Sequence, residues 1–304
     1  MAEETIGYAN SASKPLRKKR KQLPYPLNLY QSAVGKKWVM AITGLMLLGF
    51  VISHMIGNLK LYLGIVEHNG TVDYDADIYA EFLKELFVPI FPETVFLWIL
   101  RAGLLVAVIL HIHSVYSLTR MNMGSNVSYA SKRDWLASNF ASRSMRYSGI
   151  IVFFYILFHI GDLTFGSTPG YEWQHGEVQA NVVGSLSNPV VAAFYIIANI
   201  LLCVHIFHGI YSAFQSLGVS NPKYNYLRKL IATKIAVIIL IGNVSFPVAV
   251  LTGIIEFNEC EEDVVASVEN NCVTEGNHSS AKKIPGSQPE DDDLQANVLE
   301  SKES

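Results

Sequence analysis

Residues 51–58 read VISHMIGN and set an imidazole, His54, deep inside an apolar run that spans residues 38–63. A run of this length satisfies the roughly 20 helical residues needed to cross a bilayer core. Four comparable runs follow, at residues 94–118, 147–165, 190–217 and 230–255. Half of the 304 residues are hydrophobic and 16% are charged, a balance that departs from the average soluble domain. Helices buried in a soluble bundle can also be long and apolar, but five with almost no internal charge predict a chain that crosses a membrane five times.

Charge alternates along the connections. Eight Lys/Arg and two acids precede the first span, densest in KPLRKKRK. The next connection holds seven acids and one Lys, and residues 119–146 hold five Lys/Arg and one Asp. Two Glu and no base follow, then Lys223, Arg228 and Lys229 with no acid, then a tail from Glu256 with thirteen acids and three Lys. Lys/Arg excess marks cytoplasmic connections, so the expected topology has the N-terminus inside and the tail outside. The expected organisation is a basic cytoplasmic segment (1–37), a five-span membrane domain (38–257) and an external, acidic, largely disordered tail (258–304). The first span is too long for a signal-peptide core and lacks a small-residue cleavage site, so it is expected to be retained. Beside a span, the basic cluster reads as a topology signal and a contact for anionic membrane lipid rather than a nucleic-acid patch.

The three Cys, at 203, 260 and 272, form no C-x-x-C and no four-thiolate set, which excludes an iron–sulfur cluster held by this chain. Cys260 and Cys272 fall on the expected outer side, where a disulfide is an open alternative. There is no phosphate loop, dinucleotide fingerprint or nucleophile elbow, and no repeat is expected. Chemistry is therefore expected between the helices.

Of nine His, six lie within spans: His54, His111, His113, His159, His205 and His208. Ionisable residues at membrane depth face the bundle interior or a partner. One alone reads as an interhelical hydrogen bond, but four successive helices each carry one. Counted at about 1.5 Å of rise per residue, His54 and His159 fall in the outer half. His113 and His205 fall toward the inner half, so each level draws on alternate helices. Two imidazoles facing at one level suit a haem iron with two axial ligands, and two levels suit two haems. A di-iron site would want carboxylates, of which only Asp162 is near, and zinc would want its ligands at a single level. The fold expected is thus an all-α membrane protein of five transmembrane helices. Its first four form an antiparallel bundle around two haems, and the fifth, which has no His, is peripheral.

His111 and His113 lie about 200° apart on one helix, so both cannot face the core. His111 and His208 are assigned to interhelical hydrogen bonds. Gly209, one turn beyond His205, leaves room for a macrocycle. Arg101 is a candidate partner of an outer haem propionate, with snorkelling to the headgroups as the alternative. Asp162, one turn beyond His159, is a candidate proton carrier for a quinone, with an ion pair to Arg101 as the alternative. Lys36, Lys37, Arg143 and Arg146 sit at the inner interface.

The stretches TGLMLLGFVISHMIGN, HSVYS, RYSGIIVFFYILFHIGD and HIFHGIYSAFQSLG resemble, in order and spacing, the dihaem cytochrome b membrane anchor of succinate dehydrogenase and fumarate reductase, in its single-polypeptide five-span form. The resemblance covers roughly residues 30–255. It implies haem-iron ligands at His54 and His159 (outer haem) and His113 and His205 (inner haem), hence two haem b, and exchange with a quinone, menaquinone or ubiquinone. It also implies docking of a flavoprotein subunit and an iron–sulfur subunit on the cytoplasmic face of a bacterial inner membrane. Succinate or fumarate would react on the flavoprotein, not on this chain. The long basic N-terminus and the acidic tail depart from the family pattern. Fumarate reduction is the alternative direction. A haem-free proton-coupled transporter, with His and Asp as its relay, is the alternative from another class.

Overall fold

The computed structural model describes residues 24–25, 27–68, 71–123, 132–219 and 221–258. The expected basic cluster, the acidic tail and the Cys260–Cys272 pair lie outside the described residues.

The chain begins with a short helix, α1 (Leu27–Gln31), folded back on the start of α2 (Ala33–Asn58). Ser32, between them, caps α2: its hydroxyl accepts from the Gly35 amide at 2.9 Å and donates to the Leu29 carbonyl at 2.8 Å. Gly35 is required there because the Leu29 carbonyl occupies the place a Cβ would take. A hairpin, β1 (Ile65–His68) and β2 (Thr71–Tyr74), pairs Ile65 with Tyr74 in antiparallel register. It leads through α3 (Asp75–Lys84) to α4 (Val95–Met123) and α5 (Lys132–Phe165). Then come α6 (Val178–Leu186), α7 (Pro189–Ser216) and α8 (Asn225–Leu251). Asn188 caps α7 by accepting from the Val190 amide, with Pro189 in the first turn, where its missing N–H costs nothing.

Among the described residues five helices are long and apolar enough to cross a membrane: α2, α4, the Ser144–Phe165 part of α5, α7 and α8. The protein is an all-α, multi-pass membrane protein. Below, the end at which α2 begins is the near end, and the end at which it finishes is the far end.

α4 packs along α2, α2 along α7, and α7 along both α5 and α8. The α7–α8 seam is built on small residues, with Ala192, Ala198, Ala232 and Ala236 all buried. Small side chains let two backbones approach where the hydrophobic effect offers no help between helices. Met55 of α2 lies over Gly242 of α8 for the same reason. The fifth span carries no histidine but is not peripheral, as had been expected: it packs along α7 and touches α2. α4 is the least buried of the five, with Trp98, Leu105 and Ile109 exposed.

The far connections fold into a cap that the sequence did not suggest. Asp77 of α3 caps α6, its Oδ1 accepting from the Val178 and Gln179 amides. Gln179 donates to the Glu256 carbonyl at 3.0 Å, and Tyr74 exchanges hydrogen bonds with the backbone of Asn258. Lys60 pairs with Asp75 at 2.8 Å. Burial lifts Asp77 to about 6, against the pull of the two amides that hold its charged form; Glu177 and Asp73 add to the rise.

Candidate functional site

The intramembrane histidines meet at two levels. At the far level His54 of α2 and His159 of α5 lie edge to face, with ring centres 5.8 Å apart and planes at 83°. Phe50 stacks on His54, while Tyr155 and Tyr195 flank His159. The Nδ1 of His159 is buried and has no hydrogen-bond partner.

At the near level the ring facing His205 of α7 belongs to His111 of α4, with centres 6.5 Å apart and planes at 69°. This corrects the expected pairing of His113 with His205. His113, two residues on, is turned away and exposed. Its Nδ1 lies 2.6 Å from the Tyr30 hydroxyl, which also bonds Ser114 at 3.0 Å. The Tyr30 ring stacks on His113 and carries the Lys36 ammonium 4.1 Å from its centre. His113 thus joins α1 to α4, the interhelical role expected of His111. His208 keeps its expected role, its Nε2 lying 3.5 Å from the Ser144 hydroxyl.

The two near-level rings are held in the same way. His111 Nδ1 lies 3.1 Å from the Met40 carbonyl and 3.3 Å from the Thr43 hydroxyl, and its Cε1 is 3.2 Å from where a Cβ on Gly44 would stand. His205 Nδ1 lies 3.3 Å from the Ser148 hydroxyl, its ring bonds the Met145 carbonyl, and its Cε1 is 3.2 Å from the Cβ place of Gly149. The Met40 carbonyl only accepts, and the Ser148 hydroxyl donates to the Met145 carbonyl and so accepts from His205, which puts the proton of each neutral ring on Nδ1 and the lone pair on Nε2. A metal-ligating His characteristically has this arrangement, one nitrogen donating to the protein and the other free for the metal. Two imidazoles that share one ion at ~2 Å from each nitrogen have ring centres roughly 6 Å apart. Both observed pairs fit a two-ligand iron on that measure. Gly209, beyond His205, faces open space. Among the described residues no three His, Cys, Asp or Glu side chains converge as a metal site.

These contacts expose a repeat, where none was expected. MAITG at residues 40–44 and MRYSG at residues 145–149 each present a Met carbonyl, a hydroxyl three residues on and a glycine four residues on to a histidine of the next span. Each is followed by the far-level histidine at one spacing, so M-x-x-[ST]-G-x9-H runs from Met40 to His54 and from Met145 to His159.

Asp162 is buried one turn beyond His159. Its Oδ2 accepts from Ser185 of α6 at 2.6 Å and from Tyr195 of α7 at 2.7 Å, and its Oδ1 from Tyr171 at 3.3 Å. The alternative ion pair with Arg101 is therefore not formed. Arg101 is exposed on α4, its guanidinium 5.0 Å from the centre of the Trp98 ring. A second polar chain runs from Asn243 of α8 through Asn199 of α7 toward the Tyr155 hydroxyl beside His159.

Residues 129–243 match the family described as the succinate dehydrogenase/fumarate reductase transmembrane subunit. No curated protein and no solved structure matches the chain. Over residues 129–243 the match bears out the membrane-anchor family read from the sequence. It takes in the third and fourth spans and most of the fifth. Residues 145–159 of the repeat lie inside the matched region, and residues 40–54 lie outside it.

Proposed function

We propose that this chain, a transmembrane subunit of the succinate dehydrogenase/fumarate reductase family, is the cytochrome b subunit of a succinate:quinone oxidoreductase and holds two b haems. His111 and His205 would hold the near haem, and His54 and His159 the far haem. The observation that carries this reading is the meeting of four imidazoles in two pairs, with both near rings donating from Nδ1 and so keeping Nε2 for a metal. When bound, haem supplies a one-electron carrier at each level.

The rest follows from charge and burial. Lys/Arg excess makes the near side cytoplasmic, in a bacterial inner membrane, and there the chain anchors an iron–sulfur subunit and, through it, a flavoprotein that handles succinate. Lys223 and Lys229 lie on that side. With haem bound at both levels, electrons would pass from the near level to the far level and on to quinone. Asp162, joined to the part-exposed Tyr171 and to Tyr195 against His159, exchanges the proton that quinone chemistry needs. Arg101, in the far half of α4, is the candidate partner for a propionate once it leaves Trp98.

The test is optical. The purified chain, expressed with adequate haem supply, should give a b-type reduced-minus-oxidised spectrum and two haems per chain, and the native complex should co-purify with a flavoprotein and an iron–sulfur protein. A colourless chain defeats the haem reading and favours the proton-relay transporter.

A further inference from the structure

We infer that Thr43 and Ser148 are paired positioning residues that act on the two sides of one near-level iron through His111 and His205. This rests on the near haem proposed above. Thr43 Oγ1 donates to the Val39 carbonyl at 2.7 Å, and Ser148 Oγ donates to the Met145 carbonyl at 3.2 Å. Each hydroxyl proton is thereby spent on its own helix, so toward the imidazole each oxygen can only accept. The two oxygens, with the Met40 carbonyl beside Thr43, receive the Nδ1–H of His111 and of His205, and the His205 ring also bonds the Met145 carbonyl.

Three consequences follow. The tautomer is forced, because with an acceptor beside Nδ1 a neutral ring must keep its proton there. Orientation is forced as well. The hydroxyl and carbonyl fix one edge of each ring, and the glycines at 44 and 149 let the ring lie against the neighbouring backbone, with Cε1 at 3.2 Å from the Cβ place in both. Finally, an acceptor on Nδ1 raises the donor strength of Nε2, which favours the more highly charged ferric iron. The far level lacks such an acceptor at His159, whose Nδ1 is buried and unbonded. The device is therefore specific to the near level, and its two halves are equivalent because they come from one repeated sequence element.

The experiment is a potentiometric titration, with electron paramagnetic resonance of the ferric haems, on wild type and on Thr43→Val, Ser148→Ala, the double variant and Thr43→Ser. In the expected result both haems remain and one component, the same in both single variants, moves to a more positive midpoint. The double variant moves it by about the sum of the two, as separated half-sites do, and Thr43→Ser restores wild-type behaviour. Loss of the near haem in Thr43→Val with retention in Thr43→Ser also supports the role, since only the hydroxyl distinguishes them. Unchanged midpoints and resonance positions with two haems bound overturn the inference while leaving the haem reading standing. So does loss of haem in both Thr43→Val and Thr43→Ser, which makes the position one of packing alone. A wild type without haem overturns both.

Discussion

The near and far levels hold the same kind of residue in opposite surroundings. At the near level each imidazole is gripped by polar atoms of the adjacent helix, a Met carbonyl and a Thr or Ser hydroxyl, and rests on a glycine. At the far level the imidazoles are packed among Phe50, Tyr155 and Tyr195, and the nearest acid, Asp162, spends its oxygens on three hydroxyls rather than on a histidine. A ligand held by fixed dipoles has its electronics set by the protein and its geometry by the backbone. A ligand held by aromatic packing beside a buried carboxylate is placed where proton uptake can be felt. Under the function proposed above, the near level would receive electrons and the far level would meet quinone.

The largest effect should come from the near ligands. His111→Ala or His205→Ala should remove one of two b haems, whereas His113→Ala should leave both, as haem counts by absorbance will report. Loss of a haem in His113→Ala alone would reverse the pairing seen here. The mirror experiment, His54→Ala or His159→Ala, should remove the other haem and spare the near one. If all four variants lose both haems together, the two levels do not assemble independently.

Asp162→Asn should change the pH profile of quinone reaction. It should also lower stability by about 1–3 kcal/mol, because three hydroxyls lose a carboxylate acceptor. A thermal melt in detergent measures the second effect, and an unaltered profile removes the proton role even if the melt shifts.

The far cap should be sensitive to acid in an unusual sense. Burial lifts Asp77 to about 6 from its ordinary 3.8, so the folded cap binds its proton more tightly than the unfolded chain does. Its contribution to stability is fully present below about 3.8 and is lost as pH rises through about 6. The protection of the α6 amides, exchange taken relative to the intrinsic rate at each pH, should rise on acidification across that range in wild type and flatten in Asp77→Asn. The smallest effect belongs to Tyr30→Phe. It should cost about 1 kcal/mol through the lost bonds to His113 and Ser114, with both haems retained.

Much was legible from residue type and spacing. Five spans followed from apolar run length, and two levels of histidine followed from counting rise along alternating helices. The juxtaposition of His54 with His159 agrees with that count because each is the lone histidine of its span. The second span defeated it. His111 and His113 differ in depth by only about 3 Å at 1.5 Å per residue, less than depth counting resolves. Periodicity says that one of them faces inward without saying which. Even similarity within the chain is divided: HSVYS aligns with HGIYS and so matches His113 to His208, while the His-Ile doublets match His111 to His205. The signal that would have separated them is the repeated M-x-x-[ST]-G, whose hydroxyl and glycine are shaped for a ring from the neighbouring helix.

The bilayer's thickness and the cost of burying unbonded polar groups act on each segment separately, so helix number, span limits and the membrane class can be read from one strand of letters. Partner choice is a property of two segments at once. Met40 and Thr43 select His111 over His113 only when α2 and α4 have packed at one particular rotation, and Asp162 finds hydroxyls from α6, α7 and the loop between α5 and α6 only after those elements have closed over it. Apart from Tyr171 with Asp162, these contacts join residues more than twenty positions apart, and local periodicity carries no information across that distance.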